Sequence, residues 1–167
     1  SNATALWRVD VPKGDAPHAD ARQLAPNVWS YAWAPGGEAV VYSLVQHDTT
    51  GPSAGPILQI RSVSRDGGAS QELLSLPLGE SAFPGINHDG LWFARDGALW
   101  LLPWQDASRS PVAEGVQRAR RLASLPGLEN QRRREPVQVR PAPDSRRIAY
   151  TCDAGLCLVD ANGDNPT

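Results

Sequence analysis

Apolar and aromatic residues in this chain come in short bursts separated by turn-forming residues. In "YAWAPGGEAVVYS" (31–43) a Trp-bearing segment meets an Ala-Pro-Gly-Gly turn and then an apolar run, and "VRPAPDSRRIAYT" (139–151) repeats that order. Setting the two side by side matches Ala34 with Ala142, Pro35 with Pro143, Val40 with Ile148, Tyr42 with Tyr150 and Ser43 with Thr151, all at an offset of 108. A weaker copy lies between them in "INHDGLWFAR" (86–95), where Asp89 and Gly90 fill the turn, 53 residues after Gly36 and 55 before Asp144 for Asp89. A unit that recurs about every 54 residues is the size of a four-stranded blade with its loops.

Each copy predicts a hairpin. An extended entry leads to a turn of Pro, Gly or Asp, whose backbone angles permit a reversal, and then to β-branched and aromatic residues that suit a pleated surface. A further apolar segment follows every copy: "LQIRSV" (58–63), "ALWLLPW" (98–104) and "LCLVDA" (156–161). "QELLSL" (71–76) and "ARRLASL" (119–125) complete two meanders of four strands, while "LWRVDV" (6–11) and "ARQLA" (21–25) read as the last two strands of an earlier unit. The expected fold is all-β: a β-propeller fragment of roughly three four-stranded antiparallel blades. Its divisions are a tag remnant (1–3), a partial blade (4–25), two full blades (26–77 and 78–125) and a partial blade of three strands (126–167). The competing pattern is a helix over 112–125, where Val112, Val116, Ala119 and Ala123 fall at helical spacing; Gly115 weakens it, and the repeat requires a strand at its end.

Composition fits a turn-rich chain, with 15 glycines and 15 prolines in 167 residues. The opening Ser1-Asn2-Ala3 reads as the remnant of a cleaved purification tag, which would have removed any targeting segment with it. No apolar stretch is long enough to span a membrane. A net charge of −2 argues against a nucleic-acid partner, whose binding rests on neutralising phosphates. Between Arg118 and Arg147, however, nine arginines face three acids, a local balance of +6 that would suit an acidic protein partner.

The hairpins resemble the TolB-like, WD-related β-propeller repeats, whose pattern is roughly Trp-Ser-Pro-Asp-Gly, a spacer, then Ile-Ala-Phe. "WAPGGEAVVY" and "RPAPDSRRIAY" are similar to it, and "LCLVDANGDNP" looks like its strand ending in a Val-Asp-x-Asn-Gly turn. The departures are Gly36 in place of the Asp, Pro141 in place of the Trp and no Pro in the middle copy. Such a scaffold hosts many activities. The resemblance implies an extracytoplasmic location and a non-catalytic binding or assembly module that recognises protein at its rim or central channel, with no cofactor. Two other readings share the fold: the accessory propeller of a larger prolyl oligopeptidase-like hydrolase, and the sensor domain of a membrane-anchored signalling protein.

Candidate chemistry is sparse. "GPSAG" (51–55) matches G-x-S-x-G, but Pro flanks Ser53 on both sides and no helical pattern follows to build the nucleophile turn. His18, His47 and His88 show no metal-ligand spacing, and "DANGDN" (160–165) departs from a calcium loop at its glycine. The metal and catalytic sets are therefore expected to be empty. The binding candidates are the channel-facing Tyr31, Trp33, His88 and Arg140, together with Arg132, Arg133 and Arg134 on a loop that would share a rim with the 45–56 insertion.

Cys152 and Cys157 bracket Asp-Ala-Gly-Leu. A two- or four-residue loop sets the two cysteines opposite each other within disulfide range, whereas a three-residue loop with Gly155 left-handed slips the pairing by one and turns them to opposite faces. A disulfide is the expectation, in keeping with the oxidising compartment that the resemblance implies. Finally, thirteen strands fall short of the four blades at which propellers usually begin to close. A homodimer through the open blade edges is the expected remedy, with "ARQLA" of one chain completing the last blade of the other.

Overall fold

The computed structural model describes residues 4–10, 21–48, 55–78, 85–104, 115–125, 128, 137–153 and 155–162. Strand is the dominant element, and all pairing is antiparallel. Sheet one holds β1 (Leu6–Val9) and β2 (Ala21–Ala25). Sheet two is the meander β3 (Ser30–Trp33), β4 (Ala39–Asp48), β5 (Gly55–Ser64) and β6 (Gln71–Pro77). Sheet three is the meander β7 (Gly85–Ile86), β8 (Gly90–Arg95), β9 (Ala98–Pro103) and β10 (Arg120–Ser124). Sheet four holds β11 (Val139–Pro141), β12 (Arg147–Cys152) and β13 (Gly155–Asp160). Of the helix weighed for 112–125, the described residues show a single turn, α1 (Gly115–Arg118), and the chain is a strand from Arg120 to Ser124.

The sequence repeat is a repeat of turn geometry. Ala34 N–H donates to Ala39 O at 2.9 Å and Gly37 N–H to Ala34 O at 3.0 Å; the matched pairs Ala142 to Arg147 and Ser145 to Ala142 measure 2.8 and 2.9 Å. Gly37 takes φ 72°, a left-handed angle, and Ser145 takes φ 57° at the equivalent place. Between β8 and β9 the reversal is tighter still. Asp96 and Gly97, at φ 50° and 66°, form the two-residue loop whose twist matches a hairpin, with Arg95 paired to Ala98.

Alternation along the strands sends side chains into successive interfaces. On β4, Val40, Tyr42 and Leu44 pack with Leu6, Ala25 and Val28 from the sheet-one side, whereas Val41 packs the other way with Ile60, Leu74, Leu91 and Phe93. On β8, Leu91 and Phe93 face sheet two, while Trp92 and Ala94 join Val139, Ile148 and Tyr150 of sheet four. Strands β4 and β8 are therefore buried on both faces, which is why residues 40–44 and 90–94 form unbroken buried runs. The four sheets pack face to face in chain order.

The first strands of sheets three and four also meet. A Cβ built on Gly85 of β7 would stand 2.1 Å from Pro141 Cδ and 2.7 Å from Val139 O of β11, so the absence of a side chain there lets sheets three and four meet. Asn87, just past β7, ties the same seam: its Nδ2 donates to Ser145 Oγ at 2.7 Å, and its Oδ1 accepts from Trp92 Nε1 at 2.8 Å and from the Asp89 N–H at 3.0 Å.

Candidate functional site

Where β3, β7 and β11 come together they leave a cleft of about 200 Å³. Its walls are Ser30 to Ala32 of β3, Val41 to Ser43 of β4, Ile60, Ile86, and Arg140 with Pro141 of β11. The register explains the composition of the β3–β4 wall. Ser30 lies opposite Ser43 and Ala32 opposite Val41, so small and hydroxyl side chains share the face turned toward sheet three. The two hydroxyls hydrogen-bond at 2.6 Å, and Ser43 is 1 % exposed.

Arg140 is the charged group of this cleft. Its Nη1 reaches Val139 O at 3.5 Å, and no carboxylate among the described residues pairs with it. Several other arginines are ion-paired: Arg8 bridges Asp10 and Asp66 at 2.6 and 2.8 Å, Arg65 meets Glu38 at 3.1 Å, and Arg61 meets Glu72 at 3.9 Å. The Arg8 guanidinium is held above its ordinary pKa by the Asp10 hydrogen bond and then by that of Asp66, so it stays charged. A guanidinium with no carboxylate partner among the described residues, at a cleft whose other walls are hydroxyl-bearing and apolar, is equipped to take a carboxylate carried on a partly apolar segment.

Of the residues expected from sequence, Tyr31 and Arg140 are brought together in this cleft although 109 positions separate them. Tyr31 contributes to the wall, yet its pairing with Tyr42 sets its ring on the opposite face, where it is 68 % exposed. Trp33 shares that face and does not line the cleft. His88 is exposed and points to Asp89, 3.3 Å away, also outside the cleft. Arg132, Arg133 and Arg134 lie outside the described residues, as do His18, Ser53 and the 49–54 part of the insertion. Sequence reasoning passed over Asn87, next to the His88 it singled out, and Trp29. The spacing of Trp29, Tyr31 and Trp33 at alternate positions was the available signal for the latter.

Cys152 and Cys157 are disulfide-bonded, with Cα atoms 5.9 Å apart. The hairpin register is neither of the two weighed from sequence. Cys152 lies opposite Gly155 and Cys157 opposite Tyr150, so the bond runs diagonally between cross-strand neighbours two residues out of register. A slip of two keeps both side chains on one face, whereas a slip of one separates them. Among the described residues no group of three or more His, Cys, Asp and Glu side chains is placed to hold a metal ion, and no helix is long and apolar enough to cross a membrane.

No known protein family model matches the chain, and neither a curated protein nor a solved structure is significantly similar to it.

Proposed function

We propose that this chain is a non-catalytic, extracytoplasmic binding module of β-propeller type, related to the TolB-like repeats, whose inner-strand cleft receives an acidic segment of a protein partner. One observation carries the reading: three sheets contribute their first strands to a single cleft, and Arg140 stands there without a carboxylate partner among the described residues. Two further features support it. Antiparallel sheets that pack face to face in chain order, first strands together, are arranged as blades about an axis would be. The Cys152–Cys157 disulfide suits an oxidising compartment.

The partner segment presents Asp or Glu to Arg140 and an apolar neighbour to Ile86 and Pro141, with the half-buried Ser30 hydroxyl completing the polar contacts. Selection from a random peptide display library should enrich Asp or Glu beside an apolar residue. Affinity for the selected peptides should fall on the order of tenfold in Arg140→Ser, the loss of one charge-assisted contact, and should weaken with salt. Arg120→Ser, on an exposed position of β10, should leave it unchanged. Equal affinity of wild type and Arg140→Ser, or selected peptides with no acidic residue, overturns the reading.

A further inference from the structure

Every large hydrophobic side chain that is well exposed among the described residues lies at one end or the other of the sheet stack. Trp7, Val9, Trp29, Tyr31 and Trp33 belong to the sheet-one end; Leu156 and Leu158 belong to sheet four. Sheet three, between them, has none. The register identifies the faces. Tyr31 is opposite Tyr42 and Trp33 opposite Val40, so the aromatic row is the uncovered strip of the face on which sheet one already packs. Sheet one supplies two strands to cover a four-stranded sheet, and it buries Val40, Tyr42 and Val63 while the β3 side stays open. At the other end, Leu158 is opposite Ala149 and Leu156 opposite Thr151, on the face of sheet four turned away from the Ile148, Tyr150 and Val159 that pack against sheet three.

We propose that two copies of this chain associate head to tail, the Leu156–Leu158 face of one seated on the Tyr31–Trp33 strip of the other. The chain's own interfaces argue for a second copy as the occupant. Sheets two and three each pack their forward face against the backward face of the next sheet. The forward face of sheet four and the open strip of sheet two are surfaces of those same two kinds, so a second copy continues inside the pair the packing each chain already uses. Neighbouring exposed aromatic and aliphatic side chains of this kind mark an interaction face. The contact is heterologous, since different patches meet. It meets the cleft at Tyr31, whereas Trp33 and Leu158 do not line it.

Sedimentation equilibrium of the whole chain across a concentration series tests this, with Trp33→Gln and Leu158→Gln as variants. Both side chains are exposed, at 57 % and 40 %, so the variants should fold, and circular dichroism melts verify it. Wild type should exceed the 18.0 kDa of one chain at micromolar concentration. Each variant alone should associate at least about tenfold more weakly. An equimolar mixture of the two should recover a pair of near wild-type affinity, because it restores one intact face of each kind. A wild type that stays at the mass of one chain overturns the proposal, as a covering by some other protein would require. So does a variant that associates as wild type does, or a mixture that fails to recover, the outcome expected if the aromatic rows pair with each other.

Discussion

Replacing Asn87 with Ala removes one amide from the seam between sheets three and four, and the structure allows the loss to be worked out. Oδ1 accepts from the indole N–H of Trp92 at 2.8 Å, and Trp92 is 2 % exposed, so the donor is left where water reaches it poorly. An unsatisfied buried donor costs about 1–3 kcal/mol. The bonds from Nδ2 to Ser145 Oγ and from the Asp89 N–H to Oδ1 add about 0.5–1.5 kcal/mol each, less what water restores at these more accessible ends. The amide orientation is forced, because an indole can only donate. A working figure is about 3 kcal/mol, which in a chain of this size lowers the melting temperature by about 6–12 °C. Urea denaturation followed by tryptophan fluorescence and far-ultraviolet circular dichroism measures it. Trp92→Phe in the Asn87→Ala background should cost less than in wild type, with a coupling of about 1–2 kcal/mol. The adjacent, exposed His88→Ala should stay within about 0.5 kcal/mol of wild type. An Asn87→Ala protein as stable as wild type, or strict additivity with Trp92→Phe, would refute the reasoning.

Gly85→Ala should destabilise by about 1–3 kcal/mol, because its Cβ meets a proline ring and a backbone oxygen rather than a flexible side chain, and Pro141→Ala should relieve part of that cost in a double-mutant cycle; additive costs would contradict the close approach. Loss of the disulfide, closing a loop of sequence separation 5, should cost about 2 kcal/mol by chain entropy, and alkylation without reductant should modify no thiol in the oxidised protein. Two alkylated cysteines would contradict the pairing. Burial raises the Tyr150 phenol above 10.0, so the unfolded chain releases this proton first; the resulting stability is whole below pH 10 and is lost as the pH rises through the folded pKa. Tyr150→Phe should flatten that alkaline fall in stability, and an unchanged slope would show that Tyr150 does not cause it.

Strand positions were legible because local chemistry sets them. "ARQLA" was read over 21–25 and is β2 there; "ALWLLPW" was read over 98–104 and is β9 over Ala98–Pro103. The turn at Pro35-Gly36-Gly37 and its copy at Pro143-Asp144-Ser145 were legible for the same reason, Gly and Pro fixing backbone angles within a few residues. What depends on how separate sheets meet was not. Tyr31 and Arg140 were both named from sequence, but only the packing of sheets two, three and four puts them in one cleft and leaves Trp33 and His88 out of it. The amide of Asn87 has no local signature either, since its partners Ser145 and Trp92 come from two different sheets. The register at Cys152 escaped because hairpin closure there is decided by residues too few to signal a loop length.

The meeting of β3, β7 and β11 at one cleft can be measured without knowing any partner. With both native cysteines in the disulfide, a nitroxide can be attached to Arg140→Cys alone, in the Leu158→Gln background so that broadening arises within one chain. Proton–nitrogen spectra should then show the amides of Ser30 to Ala32 and of Ile86 strongly broadened, alongside those of β11 and β12. Broadening confined to sheet four would contradict the account at its centre, since β3, β7 and β11 would then share no cleft.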